Sequence, residues 1–347
     1  MDGNNTEKDP YNCQSMPPEL SGVQIYKSLS IMGYGSFMPH IQCNKGAGLQ
    51  FSGSNNKHQM NVTLSRLLVS QSSIMVQDSS VRIDGCRFER SEGVVINIRS
   101  RLILNILVRN SIFYNNSACI SVVVNSTKKQ SKNIQVVFKM RNSSFLYGNV
   151  RKDMGKCILF TESQNSSQSV SCDITLEHTT FSGNKFILPQ GLMSVIIGGS
   201  LTVFYKTQIN INISNSNFIS NYGALIIAPF PNLSELTANT GSKSIKKSYV
   251  KIQNTIFLHN SGLVIAPVLI YVSNQSVVIF QNVTMESNKV FSNGLGGAAF
   301  VGIDCFLTIQ KCRFSENTGV LKVAHCMLPL TRSLSKIHFL SAIKFHF

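Results

Sequence analysis

Acidic side chains are scarce in this chain: 347 residues carry 16 Asp and Glu against 32 Lys and Arg, a formal net charge of +16 at pH 7. Chemistry built on grouped carboxylates therefore starts from little material. Glycoside hydrolysis needs two carboxyl groups about 5 to 9.5 Å apart, and calcium sites need several oxygen ligands. The seven aspartates are Asp2, Asp9, Asp78, Asp84, Asp153, Asp173 and Asp304. Only Asp78 and Asp84 are close in sequence, and they are expected on different sides of one turn of the chain.

Other absences narrow the field further. No apolar run reaches the ~18 residues of a membrane span; the best candidates, residues 192–205 and 262–272, read as buried strands. Residues 1–20 have no apolar core of the kind a signal peptide needs. The nine cysteines form no C-x-x-C pair, so neither a zinc nor a thioredoxin signature is present. His325, Cys326 and Cys312 match no zinc spacing. No Gly-x-Ser-x-Gly elbow occurs. Gly294-x-Gly296-x-x-Ala299 imitates a dinucleotide fingerprint, but a strand at 298–303 follows it where a βαβ unit would open a helix. No nucleic-acid module is present, and no aromatic residues interleave the lysines. No catalytic residue, cofactor or metal is expected, and no nucleic-acid partner.

What the chain does have is a repeat. Eight times between Val81 and Asn317 it runs apolar, x, apolar, two residues, a small residue, x, Phe, two residues, usually Asn. The Phe position holds Phe88, Phe113, Phe145, Phe181, Phe218, Phe257, Met285 and Phe314. Seven and five residues earlier all sixteen positions are apolar, from Val81 and Ile83 to Leu307 and Ile309. Two before the Phe a small residue leaves room for its large neighbour, as in Cys86, Ser111, Thr179 and Cys312. The positions seven and five before the Phe are two residues apart, as are the small position and the Phe itself, and a spacing of two is the period of one face of a β-strand. Three after the Phe stand Asn116, Asn184, Asn221, Asn260, Asn288 and Asn317, with Ser91 and Gly148 in the other two units. Asn and Gly tolerate left-handed backbone, so this position is expected to be a corner. Gly93, Gly223, Gly262 and Gly319 follow two residues later, and each opens a second apolar run.

The Phe-to-Phe spacings are 25, 32, 36, 37, 39, 28 and 29 residues. The shortest accommodates three short strands and three turns. The longer ones carry polar insertions at residues 125–133, 161–171 and 232–247, as stacked arrays do. No sustained 3.6-residue period supports ankyrin or tetratricopeptide arrays, and the short units lack the length and hairpin turns of propeller blades. The expected fold is all-β: a single right-handed parallel β-helix solenoid of about ten coils over residues 28–325. A polar segment, 1–27, precedes it and an atypical tail, 326–347, follows. That tail drops the repeat and the first residues offer no leader, so either a segment of a longer secreted protein or a gene model truncated at both ends is expected.

These residues resemble the right-handed parallel β-helix proteins of the pectin-lyase-like superfold. More narrowly, F-x-x-N at Phe113/Asn116, Phe181/Asn184, Phe218/Asn221, Phe257/Asn260 and Phe314/Asn317 resembles the repeats of polymorphic outer-membrane proteins. Their second motif, G-G-A-aliphatic, has one near match at residues 296–299. The resemblance implies the fold; the superfold includes polysaccharide lyases and hydrolases, adhesins and receptor-like surface proteins, so activity does not follow from it. The Asn-Thr-Asp, Asp-Asp and Gly-His-Gly segments of the polygalacturonase branch are absent.

The remaining expectations concern the surface. Lys128, Lys129 and Lys132, and then Lys243, Lys246 and Lys247, lie in insertions and would favour an acidic partner, whether a glycan or a protein; the plain alternative is a solvated loop. Ten N-x-S/T sequons occur. Asn61, Asn125, Asn165, Asn232 and Asn274 are the candidate glycosylation sites, whereas Asn115 and Asn282 fall within the repeat. Nine cysteines suit an oxidising, extracellular or cell-surface setting. Cys157 and Cys172 flank one insertion and are a candidate disulfide; Cys305 and Cys326 bracket the last coil and are another. Cys86 and Cys312 read as buried thiols. The expected function is a non-enzymatic extracellular module for recognition, adhesion or scaffolding, with a polysaccharide lyase or hydrolase as the alternative.

Overall fold

The computed structural model describes residues 11–12, 22–25, 27–35, 37–43, 48–52, 60–100, 103–124, 134–150, 157–162, 170–186, 200–205, 208–229, 247–262, 267–272, 276–290, 299–318, 322–327 and 344–346. Among them there is no helix, and the chain winds as a parallel β-helix. One coil shows the plan. Leu104–Arg109 lies on a first sheet, Ile112–Tyr114 on a second and Ala118–Val124 on a third, and Ile134–Arg141 then returns to the first. Each strand pairs in parallel with its counterparts one coil before and one coil after. The first sheet has ten rungs, from Leu29–Met32 to the latter part of Ala299–Gln310. Pairing runs past both expected boundaries: Gly22–Ile25 joins the third sheet beside Gly48–Ser52, and Lys344–His346 pairs with Lys322–Met327.

The repeat is a set of in-register rows. Ile106 pairs with Val81 and Phe138, and Val108 with Ile83 and Met140, all facing inward and buried. Phe88, Phe113, Phe145, Phe181, Phe218 and Phe257 stack ring on ring through the second sheet. Their centroids are 4.5–4.9 Å apart and their planes within 13°. That spacing is the rung spacing of a β-sheet, about 4.8 Å, so register alone brings the rings into van der Waals contact.

Both corners that flank the second sheet are made by one left-handed residue. Between the first and second sheets it is three before the Phe position: Arg66, Gly85, Asn110, Asn142, His178, Asn215, Asn254, Asn282 and Lys311, with φ of 48–62°. Between the second and third sheets it is two after: Gln71, Arg90, Asn115, Tyr147, Gly183, Ser220, His259, Ser287 and Glu316, with φ of 49–65°. The expected corner at the Asn position is therefore displaced by one residue, because Asn is held for its side chain rather than its backbone. Asn221, Asn260 and Asn288 are buried, and each amide group donates to the Phe carbonyl of the coil before (2.8–3.0 Å). Each Oδ1 accepts the backbone N–H of the preceding coil's Asn at 3.0–3.2 Å. The small position works similarly. The Ser111, Ser143 and Ser216 hydroxyls donate to the carbonyl two residues back at 2.6–2.8 Å and accept an N–H from the coil before at 3.2 Å. Both rows satisfy backbone groups that the bend takes out of the sheets.

Candidate functional site

The corner between the first and second sheets never exceeds a few residues after the first coil, so insertions fall elsewhere. Segments 125–133, 163–169 and 230–248 each join the end of a third-sheet strand to the start of the next first-sheet strand: Ala118–Val124 to Ile134–Arg141, Ile158–Glu162 to Val170–Glu177, and Leu225–Pro229 to Tyr249–Leu258. These three intervals therefore share the connection from the third sheet to the first, whereas residues 187–200 lie between Lys185–Phe186 and the third-sheet strand Leu201–Tyr205. The third-to-first connections from 26–28 to 303–304 together carry ten Lys and Arg against three carboxylates, Asp78, Glu235 and Asp304. Their net +7 is close to half of the chain's formal charge of +16. Lys247 is exposed, while Lys128, Lys129, Lys132, Lys243 and Lys246 lie outside the described residues.

Of the candidate glycosylation sites, Asn61 is exposed on the outer face of the first sheet, and Asn125, Asn165, Asn232 and Asn274 lie outside the described residues. Asn115 and Asn282 are exposed left-handed corner residues, and the Asn282 amide donates to Asn254 Oδ1 at 2.9 Å. The Cys157–Cys172 pairing is corrected: both are buried thiols. Cys172 faces the interior of the first sheet between Val136 and Ile209, whereas Cys157 opens a third-sheet strand beside Cys119. Cys43 and Cys305 are each half of a disulfide, and Cys305 stands in register opposite Cys326. Cys86 is buried as expected, and that burial pushes its pKa up to about 11.

The carboxylates are spread over several rows, where Asp173 accepts from the Gln135 and Asn210 amides and others pair with arginines. Glu177 meets Arg141 at 2.7 Å, Asp84 meets Arg82 at 3.7 Å and Glu286 meets Arg313 at 3.8 Å. Asp84 and Glu177 share a row on the first sheet but are three rungs apart, with Arg109 and Arg141 between them; that is ~14 Å, beyond the reach of a glycosidase pair. Asp78 and Asp84 stand at opposite ends of one first-sheet strand, Ser79–Asp84. No group of three His, Cys, Asp or Glu able to hold a metal occurs among the described residues. The Arg141–Glu177 pair is half exposed on the Arg side, so Arg141→Ala is expected to change the unfolding free energy by less than about 1 kcal/mol in urea titration.

Two groupings escaped sequence reasoning because their members lie on different coils. His40 Nε2 and Ser70 Oγ are 2.7 Å apart and both buried. A nucleophilic serine must reach its substrate, and burial denies that here, so the contact serves the sheet. The second grouping covers the outer face of the second sheet. Buried Glu89 accepts from Arg87 Nε at 3.0 Å and faces Arg90 at 3.9 Å. The Arg87 guanidinium sits 5.8 Å from the Tyr114 ring centre, and Tyr147 meets Tyr114 edge-on at 6.0 Å. Tyr147 lies over Gly183, where an added Cβ would be 2.8 Å from its ring. The signal was present at the positions one before and one after the Phe, which alternate outward, and at the corner residue two after it. No known protein family, curated protein or solved structure matches this chain.

Proposed function

We propose that this chain is a non-enzymatic recognition module of the pectin-lyase-like superfold, exposed outside the cell, which engages an anionic ligand such as an acidic glycan along one corner of the solenoid. The observation that carries this reading is that the two lysine-rich insertions, 125–133 and 230–248, fall at the same connection between sheets, which carries ten cations against three carboxylates. A solvated loop would need no common side, whereas a polyanion follows a line of charge. The F-x-x-N repeats support a kinship with polymorphic outer-membrane protein repeats, and the sequons support a glycosylated surface protein.

Retention on immobilised heparin or pectate tests the proposal. The chain is expected to bind at low salt and to elute before 1 M salt, where the screening length falls to about 3 Å. Changing Lys128, Lys129 and Lys132 together to Gln should lower the eluting salt concentration, while changing Lys289 and Lys311, which lie at other corners, should lower it far less. Absence of retention at low salt, or equal effects of the two sets, would leave a plain scaffold as the better account.

A further inference from the structure

Cys119 and Cys157 occupy the same position on consecutive coils. Ile120 pairs with Ile158, and the residue before each is a cysteine. The Cys119 amide donates to the Cys157 carbonyl at 3.2 Å, and both thiols are reduced and 3% exposed. In-register neighbours in a sheet are ~4.8 Å apart, inside the ~4.4–6.8 Å that a disulfide requires between Cα atoms. The same chain places disulfide-bonded Cys305 in register opposite another cysteine, Cys326, on the adjoining rung.

We infer that Cys119 and Cys157 are a cross-strand disulfide site, which locks one complete coil of the solenoid into a covalent ring. The enclosed coil contains residues 125–133 with Lys128, Lys129 and Lys132, and the inference stands independently of what those lysines bind. The oxidant is a disulfide of the glutathione class. One cysteine thiolate attacks it, forming a mixed disulfide and releasing one glutathione thiolate. The second cysteine, after losing its proton, attacks the protein sulfur of that mixed disulfide and releases the other. Two protein thiols are oxidised to one disulfide as one glutathione disulfide is reduced to two thiols, and two protons pass between them in net balance.

Burial pushes the Cys119 thiol well above its ordinary range, and the thiolate is the nucleophile. The bond therefore forms while the coil is closing during folding and not in the finished solenoid.

The experiment is to refold the full chain in a mixture of reduced and oxidised glutathione, alkylate it in denaturant without reduction, and map the peptides by mass spectrometry. The expected result is a Cys119–Cys157 linked peptide two hydrogens lighter than its separate parts, with Cys86, Cys172 and Cys312 alkylated. Alkylation of both Cys119 and Cys157, or a link from Cys157 to Cys172, would overturn the inference. In Cys119→Ser the Cys157 thiol should become alkylatable without freeing any other cysteine; should that variant fail to fold, the wild-type map decides by itself.

Discussion

Phe218→Ala is expected to destabilise the chain by about 4–6 kcal/mol. Emptying a buried Phe position costs ~3–5 kcal/mol, and Phe218 is sandwiched between Phe181 and Phe257, each ring centre 4.8 Å away. Two aromatic contacts worth ~0.5–1.5 kcal/mol each disappear together. The loss falls on a rung whose neighbours provide all its support, because a solenoid unit buries its apolar face against adjacent units. The row itself supplies the control. At Met285 it already accepts a flexible thioether between Phe257 and Phe314, so Phe218→Met should cost below about 1.5 kcal/mol. Phe314 is only partly buried and has one described neighbour in the row, so Phe314→Ala should cost roughly half as much as Phe218→Ala. Urea unfolding followed by circular dichroism reads all three. Equal effects at 218 and 314 would show that the stack is not what holds the rungs.

The period of the Phe positions made the architecture legible because parallel stacking converts sequence repetition directly into spatial rows. Sixteen apolar positions became the inward rows of the first sheet without exception. The corners were less legible. Asn at three after the Phe drew attention as a turn residue, yet the left-handed residue is the one before it, and there Gln71, Arg90, Tyr147 and His259 share no side-chain chemistry. What recurs at that corner is the buried amide of the next residue, which can bond backbone on two coils at once. The other corner was readable and overlooked: Asn110, Asn142, Asn215, Asn254 and Asn282 with Gly85 mark it three before the Phe.

The candidate site divides the same way. That the two lysine-rich insertions share one connection follows from where strands begin and end, which the apolar runs already outlined. The arginine–tyrosine group around Glu89 depends on which coil lies above which, since Arg87, Tyr114 and Tyr147 are brought together by register across insertions of unequal length. The Cys157 pairing failed for this reason as well. Proximity in sequence favoured Cys172, but a coil carries the chain from the third sheet to the first over that interval, and the rung below offers Cys119 instead.

Asn260→Ala is expected to cost about 3–5 kcal/mol, comparable to the loss of a core side chain although only a polar group is removed. The Asn260 amide nitrogen donates to the Phe218 carbonyl at 2.8 Å and to Asn288 Oδ1 at 3.1 Å, and its oxygen accepts from the Asn221 backbone N–H and side-chain amide at 3.0 Å each. Truncation leaves the Phe218 carbonyl and the Asn221 N–H buried without these partners, at roughly 1–3 kcal/mol apiece. Asn260→Asp separates the donor's role from the acceptor's. A carboxylate keeps the acceptor facing Asn221 but turns negative oxygens toward the Phe218 carbonyl and Asn288 Oδ1, and burial adds a desolvation penalty; both raise the acid's folded pKa above its unfolded value of about 3.9. The protonated acid restores one donated hydrogen bond. The deficit of Asn260→Asp relative to wild type should therefore be smallest below pH ~4 and grow as pH rises through the folded pKa. Paired urea titrations of the variant and the wild type between pH 4 and 8 measure that difference. A deficit independent of pH would mean that the ladder does not depend on the amide donor, and the Asn row would then owe its recurrence to shape alone.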